Sequence, residues 1–312
     1  MALKALILDE HAGEYFDSLT RQFPDVTFHK AFAPDDAKGV IAEVEVIIAL
    51  AHKIPHEMIK AAHSLKWVQA LTTGTDALTG VLPSHVRLTS TRGVHGPQMS
   101  ELAFLHMLAL NRKFPQLQKS QAEGRWDRHP QPMLEGKTIV IVGLGILAEH
   151  LAARCKLFGM HVVGVSSGRK SAPNFDEVFS RTDLRDAAKR ADFLMLLVPY
   201  SKETHHLVNA DVLAAMKRSA FLINLARGGV LDEAAFVAHM KAGKIAGAGL
   251  DVFSKQPLPP ESPLWHLPNV IITPNVGGHS EKFVEQTLTI VAPNLRAYIE
   301  GRQKDMRNIV TH

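Results

Sequence analysis

The chain has 312 residues, 46% of them hydrophobic and 21% charged, which is material for about two globular domains. Its 35 basic and 31 acidic side chains are interspersed and leave a formal charge of only +4, so no block offers nucleic acid a footprint. No apolar run reaches the roughly 18 residues of a membrane span. The start, MALKALILDE, reads as a first buried strand rather than a secretory signal, and the lone Cys155 excludes a disulfide framework or thiolate metal cluster. The expectation is a soluble cytoplasmic protein with no metal site and neither nucleic acid nor membrane as partner.

In chain order, strands are predicted at Ala5–Leu8, Val46–Ala49, Trp67–Ala70 and Arg87–Thr89, with amphipathic stretches Glu14–Gln22 and Pro55–Ala62 between them. One long helical pattern follows from about Met99 to Lys119, carrying Leu102, Leu105, Leu108 and Leu110, and fades into the polar stretch Glu123–Pro132. Strands resume at Thr138–Val142, His161–Val165, Phe193–Val198, Phe221–Leu225, Ile245–Leu250 and Val270–Thr273, and a last helix covers Glu281–Glu300. This alternation predicts an α/β protein with two doubly wound parallel sheets. The second domain, residues 99–280, is inserted into a discontinuous first one made of 1–98 and 281–312. Asp232 reads as a helix N-cap and Gly243 as a helix stop. Cys155 reads as a small buried residue, and Trp126 and Trp265 as loop tryptophans that pack or, at a dimer interface, cap a site.

The strongest chemical signal is Gly143-Leu144-Gly145-Ile146-Leu147-Ala148, which ends an all-apolar strand and opens a helical pattern. Gly143 allows a tight turn, Gly145 lets backbone approach a diphosphate, and Ala148 lets helix and strand pack closely, as a Rossmann dinucleotide site requires. The helix start adds amide donors and partial positive charge. At the end of the next strand, where a carboxylate would bind the adenosine ribose, stand Ser166, Ser167, Gly168, Arg169 and Lys170. Two hydroxyls and two cations suit a ribose 2′-phosphate, so NADP(H) is expected over NAD(H), with NAD(H) still usable.

The blocks GLGILA (143–148), LVPYSKET (197–204), NLARGGVLDE (224–233), LDVFSKQPLP (250–259) and ITPNVGGHS (272–280) come in an order that resembles the D-isomer-specific 2-hydroxyacid dehydrogenases of the glyoxylate/hydroxypyruvate reductase kind. The early QALTTGTDAL (69–78) resembles that family's substrate loop. The resemblance implies a central NAD(P) domain, a flavodoxin-like substrate domain built from both chain ends, a homodimer, and reduction of a small 2-oxo acid to the D-2-hydroxy acid. It implies that Arg227 is the catalytic arginine, able to hold a carboxylate and a developing oxyanion. Thr73 and Gly74 match the loop whose amides bind the substrate carboxylate. Asp251 matches the partner of the nicotinamide carboxamide, and Ile146, Leu147, Val198, Pro199, Thr204, Leu225, Ala226, Asn275 and Gly277 complete the implied cofactor contacts.

Two positions depart from the family. Gln256 stands where the acid/base partner is usually glutamate, and Asn275 where the acid/base itself is usually histidine. Asn275 can donate a hydrogen bond but cannot deliver a proton, a loss of order 10²–10⁴ in rate for general acid catalysis. Three readings stay open: His279, at the entry of the last helix, supplies the proton; another histidine such as His52 or His95, or a water, does; or none is needed, as in formate oxidation. A nucleotide-binding regulator that kept this scaffold without efficient turnover is the alternative of a different class.

Overall fold

A computed structural model describes residues 2–311. The chain divides into two compact units, one running up to Val94 and resuming at Ser280, the other spanning His95–His279. The first opens with β1 (Lys4–Leu8), α1 (Ala12–Gln22), β2 (Thr27–Ala31), β3 (Val46–Ala49), α2 (His56–Ala61), β4 (Trp67–Ala70) and β5 (Arg87–Thr89). Apolar residues three and four positions apart let α1 bury Ala12, Tyr15 and Leu19 on one face.

The second unit carries α3 (Gly96–Asn111), α4 (Phe114–Ala122), β6 (Thr138–Val142), α5 (Ile146–Leu157), β7 (His161–Ser166), β8 (Glu177–Ser180), α6 (Leu184–Arg190), β9 (Phe193–Leu196), α7 (Ala210–Ala215), β10 (Phe221–Asn224), α8 (Glu233–Lys241), β11 (Gly247–Leu250) and β12 (Val270–Ile272). The chain then returns to the first unit through α9 (Phe283–Ile299) and β13 (Ile309–Val310).

The first sheet has the order β13-β5-β4-β3-β1-β2 and the second β12-β11-β10-β9-β6-β7-β8. The central strands β3, β4, β9 and β11 are buried along their whole length, the pattern of parallel strands covered on both faces. In the second sheet the chain runs β6-β7-β8 outward, then resumes with β9 on the other side of β6. The connections after β6 and β9 therefore part at the carboxyl ends of these strands, where open α/β sheets bind ligands. Asp232 accepts from the Ala235 amide at 3.0 Å as the cap of α8, and Gly243 takes φ 61° at its end.

The two parallel sheets are found with one antiparallel edge strand, and one helix prediction is corrected. The first sheet is not wholly parallel, because β13 pairs antiparallel with β5 as a short edge strand. The single helix expected over 99–119 is two, α3 and α4, separated by Lys113 at φ 52°. Pro115 is the reason: in a continuous helix it lacks the N–H for Asn111 and its ring would strike that carbonyl, whereas it fits the first turn of a new helix. Strands β2, β8 and β13 were not foreseen. No described helix is long and apolar enough to cross a membrane.

Candidate active site

Gly143 closes β6 at φ 98°, and a Cβ there would lie 2.7 Å from the backbone N and Cα of Val198. Only glycine lets the turn after β6 abut the connection after β9. Gly145 is extended and caps α5, and a Cβ built on it would meet nothing within 4 Å. The helical ladder starts only when the Glu149 amide donates to the Gly145 carbonyl at 3.1 Å. The amides of Ile146, Leu147 and Ala148 thus precede the ladder beside open space, while the Ala148 side chain is buried. Free amides, the positive helix end and room for close approach together fit a diphosphate.

Ser166 ends β7, and its hydroxyl accepts from the amides of Gly168 at 3.2 Å and Arg169 at 3.0 Å. This folds residues 166–169 into a tight turn. The Arg169 guanidinium reaches back to the Leu144 carbonyl at 3.1 Å and pairs with Glu149 of α5. Arg169 is thereby held over the glycine turn itself, while Ser167 and Lys170 remain exposed. On the β9 side Val198 is buried and Pro199 exposed; the Thr204 hydroxyl donates to the Pro199 carbonyl at 2.8 Å and accepts from the Ser201 amide at 2.7 Å. Thr204 is buried and shapes the loop that carries Val198 and Pro199.

Arg227 follows β10, exposed, beyond the buried pair Leu225–Ala226. Asn224, fully buried at the strand end, sets its backbone: the side-chain carbonyl accepts from the Ala226 amide at 3.0 Å and the side-chain amide donates to the Arg227 carbonyl at 3.1 Å. Gly228 then lies directly on the next loop, since a Cβ there would sit 1.9 Å from the Phe253 carbonyl carbon. The Phe253 carbonyl accepts from Gln256 Nε2 at 3.4 Å, and Gln256 Oε1 accepts from Asn275 Nδ2 at 3.1 Å. Arg227, Gln256 and Asn275, from the loops after β10, β11 and β12, are thus linked by backbone packing and two hydrogen bonds. Asn275 itself sits at φ 55°, a left-handed conformation that asparagine tolerates well.

Asp251, just past β11, is buried and fully engaged. Its Oδ1 accepts from the Thr273 hydroxyl at 2.6 Å and the Val276 amide at 3.0 Å, and its Oδ2 from the Gly277 amide at 3.0 Å. Because the Thr273 proton goes to Asp251, its oxygen accepts from His106 Nε2 at 3.3 Å. Burial pushes the His106 imidazole down to about 4, against the opposing pull of Asp251. Gly249 makes room for this ring: a Cβ on it would come within 2.4 Å of His106 Nδ1.

Two of the candidate histidines sit elsewhere than expected. His279 does not enter the last helix, which starts at Phe283; its amide donates to the Val276 carbonyl at 2.9 Å and closes a turn over Gly277–Gly278. His95 is not a residue of the first unit but opens the second, buried at the start of α3 beside Gly278. Burial, reinforced by charge repulsion from His279, pushes His95 down to about 4, so at neutral pH it is the neutral imidazole and not an imidazolium acid. In the first unit Thr73, exposed, and Gly74 lie past the end of β4, where the Thr72 hydroxyl donates to the Gly74 carbonyl at 2.7 Å. His52 lies past the end of β3, exposed. Trp126 is 93% exposed, whereas Trp265 donates its indole N–H to the Pro259 carbonyl at 2.9 Å.

Sequence reading missed Asn224, His106 and Thr273. A buried asparagine ending the apolar strand FLIN, and a histidine amid the leucines of α3, were the available signals.

Residues 104–277 match the family model described as D-isomer specific 2-hydroxyacid dehydrogenase, NAD binding domain. The chain belongs to the D-isomer specific 2-hydroxyacid dehydrogenase family. It is therefore an NAD(P)-dependent oxidoreductase, and its second unit is the NAD-binding domain. A glyoxylate reductase of Korarchaeum cryptofilum is 32% identical over 86% of this chain and 85% of its own. Among solved structures, a family member from Aeromonas salmonicida superposes with a TM-score of 0.93 at 32% identity, covering 100% of this chain and 99% of its own. A family member from Xanthobacter autotrophicus, solved with NADPH and MES, has a TM-score of 0.86 at 29% identity, covering 98% of each chain.

Proposed function

We propose that the chain is an NADPH-preferring reductase of small 2-oxo acids of the glyoxylate and hydroxypyruvate kind, forming the D-2-hydroxy acid. The observation that carries this reading is the seating of Arg227: Asn224 fixes its backbone, and Gly228 locks its loop onto the Phe253 carbonyl beside Gln256 and Asn275. A permanent guanidinium at the carboxyl rim of a dinucleotide-binding sheet can hold a carboxylate and stabilise charge growing on a carbonyl oxygen. Thr73 and Gly74 are assigned to the substrate carboxylate on the family resemblance. The kinship to a glyoxylate reductase supports the substrate class.

The bound nicotinamide supplies hydride. Gly143, Gly145 and the amides of Ile146 and Leu147 would hold its diphosphate, with Val198, Pro199, Leu225, Ala226 and Gly277 along its path. Asp251 would meet the carboxamide. Ser166, Ser167, Arg169 and Lys170 would take the ribose 2′-phosphate, and an NADPH-bound relative supports that preference. NADH, lacking this phosphate, would bind more weakly.

Gln256 and Asn275 orient the substrate rather than protonate it, and His279 or a water delivers the proton to the alkoxide. A cytoplasmic homodimer is part of this reading. The exposed apolar side chains Leu105, Trp126, Met133 and Leu157 of the second unit support association. Arg227→Lys keeps the charge but loses the planar fork, and is expected to cut kcat/KM for glyoxylate by about 10²–10³ with NADPH affinity unchanged. Unchanged kcat/KM would remove Arg227 from the chemistry.

A further inference from the structure

The Gln256–Asn275 pair has a fixed polarity. A backbone carbonyl can only accept, so the Phe253 carbonyl turns Nε2 of Gln256 toward itself and Oε1 toward Asn275. Asn275 therefore answers with Nδ2, and its Oδ1 is left as a hydrogen-bond acceptor without a described partner. Neither amide titrates, and the buried His95 and His106 are both neutral at ordinary pH. At the acid/base position this site offers an acceptor and no acid.

That chemistry suits a substrate that brings its own proton. We infer that the site reduces 2-iminium acids, formed from 2-oxo acids and ammonia or a primary amine, in preference to the 2-oxo acids themselves. This rests on the preceding reading for the hydride and for the carboxylate at Arg227. In the step, C2 of the iminium acid receives hydride, a new C–H bond forms, and the C=N π pair becomes the lone pair of nitrogen. The positive charge leaves the substrate and appears on the oxidised nicotinamide, so charge and electrons balance with no proton transferred. The neutral amine takes its proton from solvent after release. A 2-oxo acid would instead leave an alkoxide that must draw its proton from His279 or water, because Asn275 at the acid/base position cannot supply one. Asn275 Oδ1 can accept an iminium N–H, a bond that a ketone oxygen cannot make. The same hydride face that yields a D-2-hydroxy acid yields a D-amino acid.

The test measures NADPH oxidation by the full-length protein with three probes: pyruvate, pyruvate with methylamine, and the preformed cyclic iminium acid Δ1-pyrroline-2-carboxylate. Products are resolved on a chiral column. The inference predicts kcat/KM at least about 10²-fold higher for the iminium probes than for pyruvate, the scale of a missing general acid. Asn275→His should raise pyruvate turnover and leave the iminium probes unimproved. Binding gives a readout apart from turnover: with NADP⁺ present, calorimetry should find D-alanine bound more tightly than D-lactate. Pyruvate reduced as fast as the iminium probes, or D-lactate bound more tightly, overturns the inference and leaves 2-oxo acid reduction standing. Reduction of neither class by a protein that binds NADPH overturns both.

Discussion

At the scale of single residues, the proposed cofactor choice turns on charge at the end of β7. Ser166 folds its turn by accepting two amides, and Arg169 is drawn over Leu144. A carboxylate in place of that hydroxyl would stand against a ribose 2′-phosphate and with a ribose hydroxyl. Ser166→Asp is therefore expected to lower the ratio of NADPH to NADH affinity about tenfold or more, measured by fluorescence titration of both cofactors; an unchanged ratio would place 2′-phosphate recognition elsewhere. Much of the candidate site was legible at this scale because its residues stand in ordered motifs: Gly143, Arg227, Asp251, Gln256 and Asn275 were all proposed from the sequence. What holds them was not. Asn224 acts by bridging an amide and a carbonyl two and three residues on, the Phe253 contribution is a backbone carbonyl carried by every residue, and His106 meets Thr273 across 167 positions.

At the scale of elements, the apolar runs gave away the buried central strands, and the misses share one physical cause. β2, β8 and β13 are edge or near-edge strands with exposed positions, so hydrophobic patterning has little to write into them. The α3–α4 break was encoded differently, in Pro115 rather than in the leucine spacing that runs straight through it. The price of the break is a non-glycine residue, Lys113, at φ 52°. Lys113→Gly is expected to relieve it and stabilise the second unit by about 0.5–1 kcal/mol, seen as a higher denaturant midpoint at unchanged slope. A lower midpoint would mean that the lysine side chain makes contacts worth more than the conformational cost.

At the scale of the whole molecule, stability is tied to pH through the buried histidines His95 and His106. His95 and His106 are held near 4 in the fold and return to 6.5 when it opens. The unfolded chain then binds more protons than the native one between these values, so stability is full above about 6.5 and is lost as pH falls toward 4. Each histidine accounts for roughly 3 kcal/mol of that loss. Thermal midpoints measured from pH 7 down to 4 should fall steeply, and His106→Gln should make the fall shallower; an equally steep fall would show that His106 is not the buried neutral group described.

The proposed activity is hydride transfer from NADPH to a small 2-oxo acid skeleton. It is met most directly by following NADPH oxidation with glyoxylate, hydroxypyruvate and pyruvate, with and without methylamine, and with NADH run in parallel. Turnover of this class is expected, faster with NADPH than NADH and sharply reduced in Arg227→Lys. Tight NADPH binding without turnover of any member of the panel would contradict it, and would make the intact nucleotide cradle that of a sensor rather than a working reductase.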